Sequence, residues 1–398
     1  MERKQLGAIS LLAGTAIGSG MISLPIVLAN FGIIGSLLLM IFFCWVTYVS
    51  AMIRCELNIN SRSDFSLKDV GLLFGGRISA SIGDISLKIL SFSLLSAYIF
   101  GGASVIRSFL WQECQFIYVA TGFTIFILFI FIFLSDLVIK INKHAFIILF
   151  SMILIGVICL TANSNTTSIP VNLEGILHLK SWSTVLPVIF TSFGFQGSLH
   201  SLTKFVDNDR KLIKRACLFG SIIPVIVYSL WVVCALTIIF NSDPMGFSKM
   251  LEGPIEVTEL IHMLSSITKI EFIQYAAWII SLLAILTSII GVGLSLNEVL
   301  KKDLKKIITN DKFCHLASTL VMVIPPAIVA IAVPNAFIKI LNFAGIILAI
   351  IAIILPVFLL RNMQMQKKST ASITTLKPLS IFIIGIVIIA FGILDIFG

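Results

Sequence analysis

The chain has 398 residues, of which 58% are apolar and only 12% charged, and its mean hydropathy is +1.08. No water-soluble fold of this length hides that much apolar surface, so a cytosolic enzyme, a secreted disulfide scaffold and a disordered chain are excluded. The net charge of +9 does not indicate nucleic acid, because the basic residues sit in short loops between apolar runs and not on one face of a soluble module.

A bilayer core takes about 20 apolar residues per helix. Eleven such runs predict an all-α polytopic membrane protein, at 7–31, 33–56, 84–106, 116–135, 144–162, 183–203, 217–240, 272–297, 315–333, 337–359 and 379–396. The runs are unbroken rather than alternating, which argues against a β-barrel. Arg3 and Lys4 precede the first run as they would in a signal peptide, but the run continues past Pro25 to Phe31 and turns directly into the next span. With the N-terminus placed in the cytoplasm, 22 of the 28 Lys and Arg residues fall on the cytoplasmic side and 4 on the other. That split predicts a cytoplasmic N-terminus and a periplasmic C-terminus. The longest external connection, about 241–271, carries Phe247, Met250, Leu251, Val257, Leu260, Ile261 and Leu264 at near-helical spacing. It reads as one short helix lying over the protein, either a lid or an ordinary surface helix.

Glycine clusters interrupt two spans near their middles. The first reads Ala13-Gly14-Thr15-Ala16-Ile17-Gly18-Ser19-Gly20-Met21, with Pro25 a turn later; the sixth reads Phe190-Thr191-Ser192-Phe193-Gly194-Phe195-Gln196-Gly197-Ser198. A spanning helix must satisfy its own backbone, so such interruptions need a reason. They lie five spans apart, and an odd number gives two five-helix units opposite membrane orientations. This predicts a single transporter domain built as a five-plus-five inverted repeat, 7–162 and 183–359, with broken helices 1 and 6 and an extra helix at 379–396.

An unwound helix frees N–H groups for a carboxylate and carbonyls for an ammonium or metal cation. An α-amino acid presents both charges a few Å apart. Ser19, Gly20 and Met21 are the candidate carboxylate donors, and carbonyls near Ala16, Thr191 and Ser192 the candidate amine acceptors, with Gly18 and Gly194 giving close approach to backbone. The alternative is small-residue helix packing, since Gly14 and Gly18 have GxxxG spacing. Phe193, Phe195, Tyr98 and Phe343 are candidate walls for an aromatic side chain. Thr287 and Ser288 share a helix face with Ala284, which suits a hard monovalent cation or simply hydroxyls bonded back to their own helix.

The stretch 190–198, followed by Lys204-Phe205-Val206-Asp207, resembles the sixth helix of bacterial aromatic amino acid permeases. Gly14 to Met21 with Leu24-Pro25 is similar to their first helix, Ala97-Tyr98 with Gly101-Gly102 to their third, and Thr287-Ser288 with Gly291-Val292 to their eighth. Pro325-Pro326 and Phe343-Ala344-Gly345 resemble the ninth and tenth. The resemblance implies the inverted-repeat fold of the amino acid–polyamine–organocation superfamily with an eleventh helix added. It implies a symporter importing tyrosine, tryptophan or phenylalanine across the bacterial inner membrane. Serine, threonine or another neutral amino acid is the second transport reading, and a channel belongs to a different class. The superfamily's sodium site implies that carbonyls of Gly14 and Ile17 complete the Ala284, Thr287 and Ser288 set, whereas the aromatic permeases imply proton coupling. There are departures: Gln196 stands where these permeases often have His, His200 where they often have Pro, and Glu298 where the acid is usually Asp.

Asp84 and Lys88, four apart near the end of the third span, predict an ion pair. The run Lys301 to Lys306 suits anionic lipid. The seven cysteines form no CxxC pair, the five histidines lie far apart, and HExxH, GxSxG and Walker loops are missing from the sequence. The chain therefore reads as neither an enzyme nor a cofactor or metal protein, beyond a possible sodium ion.

Overall fold

The computed structural model describes residues 2–18, 20–61, 66–110, 113–134, 138–163, 168–171, 174–199, 202, 205–207, 209–266, 271–333, 337–367 and 376–397. Regular structure among them is helical throughout. The principal helices are α1 (Glu2–Ala16), α2 (Gly20–Leu28), α3 (Gly32–Asn60), α4 (Leu67–Leu110), α5 (Phe116–Phe133), α6 (Val138–Asn163) and α7 (Leu179–Ser192). They continue with α8 (Arg210–Ser242), α9 (Pro244–Glu252), α10 (Val257–Ser266), α11 (Glu271–Leu304) and α12 (Asp311–Ala332). A π-helical turn, Ile350–Ile354, joins α13 (Phe337–Ala349) to α14 (Leu355–Lys367), and α15 (Leu376–Phe397) closes the chain.

Eight helical segments among the described residues are long and apolar enough to cross a membrane. The breaks account for most of the difference from eleven. The first run divides into α1, of 15 residues, and α2, of 9, and α2 continues through a tight turn at Gly32 (φ +57°) into α3. The sixth run yields only the 14-residue α7 before its helix stops. The fifth lies within α6, half of whose side chains are outside the described residues. The third run is longer than expected. α4 starts at Leu67, reverses at Gly76 (φ +76°, a conformation only glycine adopts freely) and then runs on to Leu110.

The segment at 241–271 holds two helices, not one. Gly253 in extended conformation, with Pro254 after it, ends α9 before α10 begins. Asp243 caps α9 by accepting from the Gly246 N–H (2.9 Å). Phe247, Met250, Leu260, Ile261 and Leu264 are all buried, and α10 rests on α2, α4, α8 and α11. The outer surface is apolar: Phe126, Phe129 and Phe133 of α5 and Ile383, Ile386 and Leu394 of α15 are exposed. A soluble protein does not carry such a surface, whereas lipid covers it.

The core follows the two interrupted helices. α8 packs along α1 and α3, α2 packs on α7, and α13 lies between α4 and α7. α15 is fixed to this core by one carboxylate. Asp395 accepts hydrogen bonds from Thr184 Oγ1 (2.6 Å) and Ser183 Oγ (3.2 Å) of α7, and from the Asn342 amide of α13. Asp395→Ala leaves the fully buried Asn342 without its acceptor, so the variant is expected to lose about 1–3 kcal/mol of stability. Thermal unfolding in detergent measures this, and an unchanged Tm would show that the tie contributes nothing.

Candidate functional site

α1 stops at Ala16, where the Ile17 N–H still reaches the Ala13 carbonyl (2.9 Å). α2 restarts at Gly20, and the Met21 N–H bonds to the Gly18 carbonyl (3.1 Å). Ser19 lies outside the described residues, as does His200. In the second break α7 ends at Ser192, the Gly194 N–H folds back onto the Thr191 carbonyl (2.9 Å), and a 3₁₀ turn over Gln196–Ser198 follows. Where a helix ends, its last carbonyls and first N–H groups lack helical partners.

Tyr228 of α8 supplies those partners at both breaks. Its fully buried hydroxyl lies 2.7 Å from the Ala16 carbonyl and 3.1 Å from the Ser192 carbonyl, so one proton serves two acceptors. The Gly18 N–H donates to the same oxygen over 3.4 Å. Nearly one turn further along α8, the Trp231 indole N–H donates to the Met21 carbonyl. That carbonyl is free because Pro25, four residues on, has no N–H to give it. Hydroxyl contacts also link the breaks directly: Ser23 to Ser192 at 3.3 Å and Thr15 to Ser198 at 3.0 Å.

Two glycines of the first break face side chains at very close range. A β-carbon on Gly20 would overlap the Tyr228 hydroxyl, and one on Gly18 would overlap Ser288 Oγ. Neither glycine has a positive φ, so what the position requires is space, not conformational freedom. From the sequence this space was assigned to substrate; in this conformation Tyr228 and Ser288 fill it.

The remaining predicted residues divide. Phe193 is buried and meets the Tyr228 ring edge-on, with centroids 5.4 Å apart. Tyr98 is buried within electrostatic reach of Tyr228. The Thr191 hydroxyl donates to the Pro187 carbonyl (2.8 Å) and the Leu341 carbonyl of α13 (3.1 Å). Phe195 instead joins a separate cluster with Ala8, Leu12 and Ala16. Phe343 is 39% exposed and so does not wall a closed pocket here. Gln196 Nε2 donates to Ser50 Oγ (3.1 Å), while its Oε1 is buried without a partner.

In the candidate cation set, Gly14, Ile17, Ala284, Thr287 and Ser288 are all buried. The Thr287 hydroxyl bonds back to the Leu283 and Ala284 carbonyls, 3.0 Å each. Ser288 Oγ has no hydrogen-bond partner and lies against Gly18. Thr287 therefore behaves as an ordinary membrane-helix hydroxyl, and Ser288 does not. The expected pair of Lys88 and Asp84 forms (3.0 Å) and gains a third member, Asp303 of α11, 2.6 Å from Lys88.

Tyr228 and Trp231 were not identified from the sequence. The available signal was two polar-tipped aromatics three residues apart in mid-span, where each ring needs a partner for its N–H or O–H.

The chain matches the model of the tryptophan/tyrosine permease family over residues 1–396. It is 29% identical to tyrosine-specific transport system 1 of Haemophilus influenzae, over 89% of this chain and 87% of that one. It is 27% identical to glutamine transporter 2 of Aliivibrio fischeri, over 94% and 92% of the two chains. The tryptophan-specific transport protein of Haemophilus influenzae is 28% identical, over 98% and 94%. Full-length likeness of this kind covers both breaks, α8 and the last helix, and the chain belongs to the tryptophan/tyrosine permease family of transport proteins.

Proposed function

We propose that this chain is a secondary active symporter that imports an aromatic amino acid, tyrosine first, across the bacterial inner membrane. The observation that carries the reading is the Tyr228 hydroxyl. It satisfies two carbonyls and one N–H that the helix breaks expose, and these are the kinds of group a zwitterion would engage. The phenol stands in for the substrate's ammonium while the site is closed. An entering amino acid displaces it, with its ammonium on the Ala16 and Ser192 carbonyls and its carboxylate on N–H groups from Gly18 to Met21. Thr191, Gly194 and Gln196 hold the second break in position, and Phe193 and Tyr98 flank the side chain. The exchange replaces one set of hydrogen bonds with another, so neither state leaves buried backbone unpaired.

In this proposal eleven helices cross the membrane, as two inverted five-helix repeats and a final helix tied on through Asp395. The lysine-rich end faces the cytoplasm. An open cleft of about 490 Å³ at the opposite end, lined by Arg107, Lys249, Glu259 and His262 among others, is the external approach. The sealed midpoint supports alternating access over a channel, which needs a continuous polar path. A neutral amino acid other than an aromatic one is the second reading. It is favoured by the similarity to a glutamine transporter and by Gln196 in the second break.

For the coupling ion we favour the proton. The titratable candidates are Glu298 and the Lys88, Asp84 and Asp303 cluster. The sodium alternative rests on Ser288, whose unpartnered hydroxyl at the first break suits a monovalent cation together with carbonyls of Gly14 and Ile17.

Uptake of labelled amino acids into proteoliposomes tests the substrate class and the coupling ion together. Tyrosine, tryptophan and phenylalanine are expected to compete with one another under an imposed pH gradient without sodium. If only a sodium gradient drives uptake and Ser288→Ala removes that dependence, the proton assignment is wrong. Competition by glutamine or serine, with aromatics inert, moves the substrate to the second reading. Tyr228→Phe removes the internal competitor, so tyrosine should bind about three- to tenfold more tightly by equilibrium binding; weaker binding would make the hydroxyl a substrate ligand instead. Gly18→Ala should destabilise the protein by about 1–3 kcal/mol through overpacking. Adding Ser288→Gly should restore most of the Tm, and a failure to do so would place the strain elsewhere.

A further inference from the structure

Arg54 of α3 is the single charged side chain among the described residues that is buried, at 6% exposure. A guanidinium keeps its charge at any physiological pH, and a buried charge without a partner is costly. Yet Arg54 makes no ion pair with any described residue, and its Nη1 has no hydrogen-bond partner.

Asp64 lies outside the described residues, and the described acids of this end of the fold are committed elsewhere. Glu56 faces Arg210 (3.6 Å) and the Asn60 amide (2.7 Å). Asp69 takes Ser66 (2.8 Å) and Lys302 (3.6 Å). Asp84 lies between Lys68 and Lys88, and Asp303 between Lys88 and Lys306. Glu298 is exposed at the rim of the cavity that Arg54 lines and is within ion-pair distance of no described basic group.

That cavity has a volume of about 50 Å³ and is bordered by Arg54, Ser66, Gln196, Ser295 and Glu298. Asn58, one turn beyond Arg54 along α3 and 2% exposed, does not line the cavity but has both amide atoms unpartnered; Gln196, which does line it, has a buried, unpartnered Oε1 that can only accept a hydrogen bond. A fixed positive charge bordering a small space, with a free amide N–H group one turn along the same helix, matches a monovalent anion of the size of chloride or one carboxylate group. The space is too small for a whole aromatic amino acid.

We propose that Arg54, with the Asn58 amide N–H, forms an anion site between α3 and the second break, at a cavity that Gln196 also borders. Its occupant is either a free inorganic anion or the carboxylate of an amino acid leaving the carrier; the second source alone rests on the transport reading above. Gln196 belongs to the broken segment and Arg54 to the neighbouring helix, so an anion held there links the second break to α3.

The test is thermal unfolding of the purified chain in nanodiscs, in the potassium salt of a bulky morpholino-sulfonate buffer (MES), which carries no carboxylate, or in potassium chloride or acetate at equal ionic strength. Chloride and acetate are expected to raise the Tm by about 2 °C or more over the sulfonate, with saturation. Arg54→Gln should abolish the rise. A wild-type Tm indifferent to the anion, or a rise retained in Arg54→Gln, overturns the proposal. Should Arg54→Gln not fold, Arg54→Lys keeps the charge but loses the planar fork. Its half-saturating chloride concentration should increase about tenfold, and an unchanged value also overturns the site. Adding L-tyrosine in the sulfonate salt and then titrating chloride separates the sources: mutual competition identifies the amino acid carboxylate, and an unaltered chloride curve identifies the inorganic anion. These readings need no transport, so failed uptake with an intact anion response removes the symporter reading and leaves this site standing.

Discussion

A helix broken inside a membrane exposes backbone that lipid cannot satisfy, and the architecture of this chain is arranged around that constraint. The Ala16 and Ser192 carbonyls come from breaks far apart in sequence, and one phenol on a third helix reaches both. This fixes the depth of α8 against α1 and α7 to within hydrogen-bonding distance. It also explains the tight local packing. Gly20 must lack a side chain because the phenol occupies that volume, and Trp231 must follow Tyr228 along α8 because Pro25 has freed the Met21 carbonyl.

Polar groups elsewhere in the core follow a contrasting rule. Most buried hydroxyls bond back to a carbonyl three or four residues earlier, as Thr191, Ser192, Ser221 and Thr287 do, which needs no partner helix and carries no information about function. The exceptions among the described residues include Ser288 beside Gly18 and Gln196 Oε1 at the two breaks, Arg54 with Asn58 on α3, and, away from the breaks, Thr47, Thr237, the Trp278 indole and Asn342 Oδ1.

Much of this was legible in the sequence because membrane constraints are coarse. Apolar run length reports helices, and glycine clusters in mid-span report breaks. The stop at Ala16, the restart at Gly20 and the stop at Ser192 fall inside the stretches singled out from glycine alone. Side-chain direction was not legible. Phe195 and Phe193 are two residues apart, yet one enters the lower cluster and the other meets Tyr228, because the backbone between them is no longer helical and periodicity gives no guide. Phe343 resembles a pocket wall by type but lies on the exposed side of α13. Tyr228 was hard to read for a related reason: its spacing to Trp231 says that both polar tips need partners, but not which orphaned carbonyls they serve.

The Trp231 bond to Met21 has an optical consequence. Of the five tryptophans in the chain, Trp231 has its indole N–H fixed to a carbonyl of the broken helix in a buried setting. Any rearrangement that separates α2 from α8 must break that bond and admit a different local dielectric. In a variant whose other four tryptophans are replaced by phenylalanine, the emission of this indole therefore serves as a gauge of whether the first break is open or shut, readable without an added label.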